Sequence, residues 1–413
     1  MRVVYLLLLC LVVEFGFSQT PDSVNLNTNF TDMTFYKLAN GAKTTASNTD
    51  WHLAFGCKSA QFPNNTLQAA TIRFNGALGV RLFLVHNKTK ADFSSIIDTA
   101  GLQLVELFDQ DTMLWMGGFN SFKNLTDVFN YGWGQYQFTS HSVVGDSLYL
   151  LQMPNGNYKK IVIDRLEYDT AYFFNFANIN GTNPQSNKVN KKTYRTKNFV
   201  YFDVENNIIR DKEPAKTYWD LLFWQYKSPT LQNLTATEKV GVFQNDGIAV
   251  FQSTDANLNQ CADQSYSYYA NTIGKTWKGQ ATLIPESPEI FDTVNYYIKD
   301  YSANHYRLKF TDQWLSNQGI VRFSVLRCAA GIENIQTSPL AVYPNPANNV
   351  IYLDLSSSEK LVKITVFNQL GSEVKVDLIN EKSLNINNLS NGIYFAHIVT
   401  NTGNYQAKFI VEK

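Results

Sequence analysis

The sequence has no surplus of charge of either sign. Lys and Arg together number 35, and Asp and Glu also number 35, so the formal net charge over 413 residues is zero. Binding to nucleic acid or to an anionic membrane needs clustered positive charge, so neither partner is expected. Aromatic residues make up 14% and hydrophobic residues 44% of the chain. This composition is typical of strand-rich globular proteins, and the length predicts two or three domains at roughly 150 residues each.

Cysteine is scarce, with four residues in the whole chain. No Cys-x-x-Cys pair occurs, which argues against a zinc site or a thioredoxin-like redox site. Outside the N-terminal apolar run the remaining cysteines are Cys57, Cys261 and Cys328. Their odd number leaves at least one thiol unpaired, and a disulfide between Cys261 and Cys328 stays an open alternative.

Long apolar runs are also lacking. The longest, Val3 to Val13, has 11 residues, fewer than the ~20 that a membrane-spanning helix needs. Arg2 precedes this run, and the small residues Gly16 and Ser18 follow it. This order is typical of a secretory signal peptide, predicted to cover residues 1–18 with cleavage after Ser18. We therefore expect export and no transmembrane segment.

Sequence motifs for catalysis are missing as well. The five histidines show no His-x-x-x-His spacing, and the chain has no Gly-x-Ser-x-Gly elbow, P-loop or dinucleotide fingerprint. The neighbouring Asp109 and Asp111 predict a solvated loop, with a calcium site as the alternative. We expect a protein that is not an enzyme. A hydrolase whose carboxylates are distant in sequence stays an alternative, because such pairs leave no local motif.

The chain contains an internal duplication. "TDWHLAF" begins at Thr49 and "TYWDLLF" begins at Thr217, an offset of 168, and glycine turns in "FNGALGV" and "QNDGIAV" follow. Apolar residues alternate in these segments, which predicts half-buried strands. The Trp is kept while the next residue changes from His52 to Asp220. The pattern indicates a repeated core strand, not a repeated active site, with Trp51 and Trp219 buried at equivalent positions.

These phrases, together with "NYYIKDYSANHYRLKF" near the end of the second copy, resemble the HmuY-like family. The resemblance covers residues 28–185 and 195–330 and is better in the second copy, because the family favours Asp where the first copy has His52. Members are all-β secreted or surface proteins, and the founding type binds haem. The resemblance therefore implies two tandem HmuY-like β domains and haem as a possible cofactor.

Haem binding requires an apolar pocket and one or two imidazole or thioether ligands. In the first copy the candidate ligands are His86, Met113, Met116, His141 and Met153. The alternative interpretation is that the methionines fill gaps in a core. His52 ranks behind these residues because it follows the core Trp and points to the other face of its strand.

The last 80 residues have a different character. "VYPNPANN" is followed by "NINNLSNGIYFAHIV", and alternating segments predict strands of a small immunoglobulin-like sandwich over residues 333–413. This region closely resembles the type A C-terminal sorting domain of the type IX secretion system. The residues that carry the resemblance include Tyr343, Pro344, Asn345, Pro346, Asn391, Gly392 and Tyr394. The resemblance implies the secretion machinery as partner and a final location outside the cell or on its surface.

The sequence thus predicts an all-β protein with a signal peptide, two tandem copies and a sorting domain. The leading hypothesis is a secreted or cell-surface binding protein for haem or another flat apolar ligand. A surface adhesion or carbohydrate-binding protein is the second hypothesis, because the chain is rich in Tyr and Trp, and a hydrolase is the third.

Overall fold

The structure is a computed structural model that describes residues 20–59, 69–124, 126–229, 236–254, 265–279, 289–311, 318–328 and 337–413. The predicted signal peptide and Cys261 lie outside the described residues. Cys328 is disulfide-bonded, and Cys57 is a buried free thiol. No helix within the described ranges is long and apolar enough to cross a membrane. The chain divides into two compact units, a body (Met1–Ala330) and a C-terminal unit (Gly331–Lys413).

The body is built from strands, as the alternating pattern predicts. Its strands are β1 (Thr20–Asn25), β2 (Asp32–Tyr36), β3 (Lys43–Ser47), β4 (Leu53–Gly56), β5 (Ile72–Phe74), β6 (Arg81–Thr89), β7 (Leu104–Leu107), β8 (Gly134–Gln137), β9 (Ser142–Gly145), β10 (Ser147–Gln152), β11 (Tyr158–Glu167), β12 (Ala171–Asn178), β13 (Gln185–Val189), β14 (Phe199–Asp203), β15 (Ile208–Arg210), β16 (Leu221–Pro229), β17 (Ala236–Gln244), β18 (Ala249–Ser253), β19 (Asn295–Lys299), β20 (His305–Phe310) and β21 (Ile320–Arg327). The described helices are short 3₁₀ turns at Thr28–Phe30, Lys90–Ser94, Gly118–Asn120, Lys191–Tyr194 and Lys216–Tyr218.

These strands form four sheets that pack in pairs. The first sandwich joins the sheet β13-β12-β11-β10-β6-β7, to which β9 and β8 are added, with the sheet β15-β14-β4-β5. The second sandwich joins β1-β21-β20-β19-β18 with β17-β16-β2-β3. Each pair encloses its own buried apolar core. Strand order is the same in both sandwiches when β13, β14 and β15 are matched to β1, β2 and β3.

The two sandwiches exchange strands between the predicted copies. Strand β2 comes from the first copy but pairs with β16, so that Leu221 lies opposite Tyr36. Strand β14 comes from the second copy but pairs with β4, so that Leu53 lies opposite Phe202. The segments predicted as copies, 28–185 and 195–330, therefore each contribute strands to both sandwiches. The first sandwich is continuous in sequence, from β4 to β15. The second sandwich consists of β16 to β21 and is completed by β1, β2 and β3, which precede the first sandwich in the sequence.

A further apolar cluster, the middle cluster, lies between the sheet of β4 and the sheet of β16. Its buried members are Met33, Phe35, Trp51, Ala54, Leu114, Trp115, Phe199, Tyr201, Trp219, Leu222, Trp224, Tyr226, Phe243 and Ala270. Trp51 and Trp219 are each 2% exposed, which confirms their predicted burial. Strict alternation through "TDWHLAF" and "TYWDLLF" would place each Trp on the same face as the Leu two positions later, and the structure does not show this. Strands β4 and β16 begin only at Leu53 and Leu221, and the preceding Trp side chains turn to the middle cluster.

The turns confirm several local predictions. Gly79 and Gly247 adopt φ values of +92° and +84°, which a side chain would strain. Val80 and Ile248 then sit at equivalent places in the two cores. Leu53 pairs with Phe74 as Leu221 pairs with Gln244, so Phe74 and Gln244 are equivalent. The loop from Phe74 to Gly79 is therefore two residues longer than the loop from Gln244 to Gly247.

The C-terminal unit is a separate all-β sandwich. Its strands are β22 (Thr337–Pro339), β23 (Val342–Tyr343), β24 (Val350–Leu353), β25 (Leu361–Asn368), β26 (Glu373–Val374), β27 (Asp377–Asn380), β28 (Ser383–Asn385), β29 (Gly392–Thr400) and β30 (Asn404–Val411). They form the sheets β22-β30-β29-β25-β26 and β23-β24-β28-β27. A single buried cluster fills the space between the two sheets.

Candidate ligand-binding groove

A groove opens in the body where loops of the two sandwiches meet, with a volume of about 770 Å³. One wall, the methionine loop, is the segment 112–116 that follows β7. The other wall, the tyrosine segment, is the segment 266–270, joined by residues 244–246 at the end of β17. The walls are connected by a backbone hydrogen bond of 2.8 Å from Ala270 N to Thr112 O. The groove therefore exists only because both sandwiches contribute to it.

The methionine loop is held from beneath by one buried cation. The guanidinium of Arg73 donates to the carbonyls of Met113 and Leu114 at 3.1 and 2.9 Å and to that of Gln110 at 3.1 Å. Asp109 pairs with Arg73 at 3.3 Å and accepts the backbone N–H of Gly118 at 2.6 Å. These bonds fix the loop before any ligand arrives.

Asp109 corrects an expectation from the sequence. The prediction of a solvated loop is wrong for this residue, because its side chain is only 11% exposed and accepts the backbone N–H groups of Gly118 and Phe74. This burial raises the pKa of its carboxyl group, while the Arg73 guanidinium opposes the shift. Asp111 accepts a hydrogen bond from Ser228 Oγ at 2.5 Å and thus ties the loop to the second sandwich. No cluster of three metal-ligating side chains occurs within the described ranges.

Trp115 forms the floor of the groove together with polar groups from both sandwiches. Its ring stacks on Phe199 at a centroid distance of 5.2 Å, and its Nε1 donates to Asp246 Oδ1 at 3.1 Å. Lys58 pairs with the other oxygen of Asp246 at 2.6 Å and lies 5.4 Å from the indole centroid. The floor is therefore an aromatic surface with a fixed, paired carboxylate beside it.

The tyrosine segment exposes large rings to solvent. Tyr268 is 70% and Tyr269 57% exposed, and Met113 on the facing wall is 45% exposed. The segment is anchored by two backbone hydrogen bonds between Ser267 and Val250, at 2.8 and 2.9 Å. Exposed apolar groups on a fixed frame favour a binding surface over a packing surface.

The predicted haem ligands do not converge on one place. Met113 and Met116 both line the groove. Met153 is buried in the core of the first sandwich, as the gap-filling interpretation predicts for it. His86 is exposed on β6, and His141 lines a separate pocket, where its Nδ1 lies 3.0 Å from Tyr136 Oη.

Sequence reasoning missed the groove residues outside the methionine loop. Arg73 stands inside an apolar strand in "TIRF", and a charged residue in such a place signals a buried partner. The cluster "YSYYAN" from Tyr266 to Asn271 shows three tyrosines within four residues. Neither signal reveals that the methionine loop and the tyrosine segment meet, because these two segments lie about 150 positions apart in the sequence.

His52 in the first copy and Asp220 in the second copy both have structural roles. His52 Nδ1 accepts the backbone N–H of Val204 at 3.2 Å, and burial lowers the pKa of the ring, so the neutral form is favoured. Asp220 accepts the N–H of Leu38 and pairs with Lys37 Nζ, both at 2.8 Å. Neither side chain reaches the groove.

The sorting-motif residues lie around the last strand of the C-terminal unit. Asn345 accepts the N–H of Ile410 at 2.8 Å and donates to the carbonyl of Lys408 at 3.1 Å. Asn391 accepts the N–H of Lys413 at 3.0 Å. Gly392 begins β29, and the buried ring of Tyr394 stacks on Phe409. Tyr343 is 54% exposed and precedes cis peptide bonds at Pro344 and Pro346.

Comparisons with known proteins support the C-terminal assignment. The family model of the secretion system C-terminal sorting domain matches residues 341–412. This match supports export by the type IX secretion system and a secreted or cell-surface location. No curated protein matches the chain.

Solved structures add no argument about the body. A polysaccharide lyase structure is 9% identical with a TM-score of 0.14, covering 96% of this chain and 46% of that one. The dimeric latent PorU of Porphyromonas gingivalis is 12% identical with a TM-score of 0.13, covering 80% of this chain and 29% of that one. The chain spans less than half the length of either protein.

Proposed function

We propose that this protein, which carries a type IX sorting domain, is a binding protein of the cell surface or the secreted fraction. Its ligand is haem or another flat, largely apolar molecule, bound in the groove between the methionine loop and the tyrosine segment. The observation that carries the proposal is the pairing of exposed Met113 with exposed Tyr268 and Tyr269 across a cleft of about 770 Å³.

The size and chemistry of the groove suit such a ligand. Small-molecule sites fall in the range of about 300–1,000 Å³ and are lined mainly by apolar and aromatic groups. The thioethers of Met113 and Met116 are soft donors that can ligate haem iron and adapt to an apolar face. Their loop is fixed through Arg73, so little conformational freedom is lost when a ligand binds. The resemblance to HmuY-like proteins points to the same ligand class.

A haem titration followed by visible absorbance tests the binding proposal. We expect the Soret band to shift at micromolar haem, and we expect Met113→Leu and Met116→Leu to weaken or change the shift. Both replacements keep side-chain volume and should destabilise the fold by less than about 1.5 kcal/mol each.

Met153→Leu is the matched control, because Met153 is buried in the core of the first sandwich and does not line the groove. It should leave the titration unchanged. A wild-type protein that gives no Soret shift would sink the haem proposal.

Deletion of residues 333–413 tests export. The sorting family model matches within this segment, and the segment forms a compact unit separate from the body. The truncated body should therefore fold but stay in the periplasm, as shown by cell fractionation and surface protease treatment. Normal surface display of the truncated protein would contradict the assignment.

A further inference from the structure

A second pocket, the His141 pocket, lies on the first sandwich and has a volume of about 230 Å³. Its floor is apolar and includes Ala70, Val143 and Leu166, all of them buried. Tyr136, His141, Tyr168 and Asp169 stand around it. Strand β9 pairs with β11 so that Val143 lies opposite Leu166. This pairing brings the turn before β9 and the turn after β11 to the same place.

Both turns contain residues with positive φ, a conformation that His and Asp adopt more often than most side chains but that a bulky Tyr adopts rarely. His141, Tyr168 and Asp169 have φ values of +48°, +45° and +54°. Tyr168 and Asp169 are the central residues of the hairpin turn between β11 and β12, closed by the hydrogen bond from Thr170 N to Glu167 O at 2.7 Å. Glu167 pairs with Ala171, so the hairpin loop consists of residues 168–170. A β-turn with positive φ at both central residues is most readily formed by Asn-Gly or Asp-Gly. A tyrosine there costs stability, and such strain is concentrated at functional sites.

The strained turn orients two functional groups at the mouth of the pocket. The ring of Tyr168 is 62% exposed, and its centroid lies 6.4 Å from that of His141. The carboxylate of Asp169 is fixed by Lys191 Nζ at 2.6 Å and by an Arg195 guanidinium nitrogen at 2.9 Å. Lys191 is itself fully buried and donates to the carbonyl of Lys58 at 2.8 Å.

The charges limit the class of ligand. Lys191 and Arg195 already pair with the carboxylate of Asp169, so the pocket offers no net negative charge to a cationic ligand. The hydroxyls of Tyr136 and Tyr168 and the carboxylate at the rim favour a ligand that carries its own hydroxyl groups. The volume is below the range of about 300–1,000 Å³ usual for drug-sized ligands. A single neutral sugar ring meets these conditions, since it has one apolar C–H face and a polar edge.

We infer that the His141 pocket binds one pyranose ring of a neutral carbohydrate. The apolar face of the sugar packs against Tyr168 and His141, and its hydroxyls bond to Asp169 and Tyr136. The site is distinct from the groove, because no residue that lines the pocket also lines the groove. A protein with both sites would hold a flat apolar ligand and a glycan surface independently.

Glycan-array binding and saturation-transfer NMR test this inference on the full-length protein. The NMR probes are methyl glycosides of glucose, galactose, mannose and N-acetylglucosamine. Wild-type protein should bind at least one neutral glycan, and Tyr168→Ala and His141→Ala should reduce affinity by about tenfold or more, since each removes an aromatic contact. Tyr218→Ala is the control, because Tyr218 is 72% exposed and outside the pocket. Absence of glycan binding by the wild type, or equal binding by Tyr168→Ala and the control, would overturn the inference.

Tyr168→Asn separates a functional role from a structural one. Asn tolerates positive φ, so this variant should unfold at the same temperature as the wild type or at a higher one, while its glycan signal is lost. A lower unfolding temperature with retained glycan binding would contradict the functional role. Met113→Leu and Met116→Leu should leave glycan binding unchanged. Loss of binding in these groove variants would place the sugar in the groove and refute the pocket assignment, whereas failure of the haem titration alone would leave this inference standing.

Discussion

The two sandwiches of the body share one backbone frame but use different polar chemistry. Leu53 faces Phe202 in the first sandwich as Leu221 faces Tyr36 in the second. The residue before each Leu then bonds to the strand opposite, through His52 in one case and Asp220 in the other. The comparison shows that the apolar pairs define the frame and that polar groups can change as long as their hydrogen bonds are kept.

The replacement of His52 by Asp220 is compensated by the residues around each side chain. His52 accepts the N–H of Val204 and has Asp203 3.4 Å away, whereas Asp220 accepts the N–H of Leu38 and pairs with Lys37. Each sandwich thus retains a buried acceptor for the same backbone donor. The cation in the second pair occupies the place of the carboxylate in the first. This exchange explains why the duplicated phrase keeps its Trp but not the next residue.

The largest expected effect concerns the two tryptophans. Trp51→Ala and Trp219→Ala should each destabilise the body by about 3–5 kcal/mol, because both are buried in the middle cluster. Urea unfolding monitored by circular dichroism measures the change. A loss of stability below about 1 kcal/mol would be close to that of a surface substitution. In that case the Trp is not a core residue, and the two positions are not equivalent.

Substitution of Asp220 should destabilise the body more than substitution of His52, although both effects should be smaller than those of the tryptophan variants. Asp220→Asn leaves Lys37 without its charge partner and should cost about 1.5–3 kcal/mol. His52→Asn supplies an oxygen at the place of Nδ1 and keeps an acceptor for Val204 N, so it should cost less. Equal losses of stability in the two variants, measured by urea unfolding, would show that the ion pair contributes nothing.

The pH dependence of stability should report on Glu213, which lies beside the middle cluster. Burial raises the pKa of Glu213 to about 8, although the N–H groups of Asn198 and Phe199 bond to its oxygens. A folded pKa above the unfolded value means that stability is full below about pH 4.5 and is lost as the pH rises towards 8. The loss should reach at most about 1.4 kcal/mol per pH unit. Glu213→Gln should flatten this dependence in unfolding experiments between pH 5 and 8, and an unchanged slope would contradict the raised pKa.

The smallest expected effect would make the two sandwiches more alike. Trp51 Nε1 donates to Asn48 Oδ1 at 3.1 Å, whereas Trp219 Nε1 has no hydrogen-bond partner among the described residues. Lys216 stands at the position equivalent to Asn48. The backbone carbonyl of Lys216 accepts a hydrogen bond from the side-chain amide of Asn245, as the carbonyl of Asn48 does from the side-chain amide of Asn75. Lys216→Asn should therefore stabilise the body by about 0.5–1.5 kcal/mol. A loss of stability on thermal unfolding would show that the equivalence ends at the backbone.

The sequence predicts the local structure of this protein well and its long-range pairing poorly. Alternation identified the strands that begin at Leu53 and Leu221 and the glycine turns that follow, because these are properties of short segments. It could not reveal that β2 pairs with β16, because an apolar alternating strand fits either sandwich.

The site was only partly predictable for the same reason. Met113 and Met116 stood out as soft ligands in an apolar stretch, and both line the groove. Their partners Tyr268 and Tyr269 come from the other sandwich and carry no shared motif. Loops have no periodicity, so no residue pattern indicates that these two segments meet.

Strand exchange is the central claim, because it places β2 in a sheet with β16 and β14 in a sheet with β4, against the copies predicted from the duplicated phrase. Two fragments of similar length test it by urea unfolding under circular dichroism. Residues 49–213 contain every strand of the first sandwich, so this fragment should unfold in one cooperative transition. Residues 28–185 are the first copy predicted from the sequence. They lack β14, β15 and all of β13 except Gln185, so this fragment should show no cooperative transition. A cooperative transition in 28–185 and none in 49–213 would contradict the exchange and restore two copies that are each continuous in sequence.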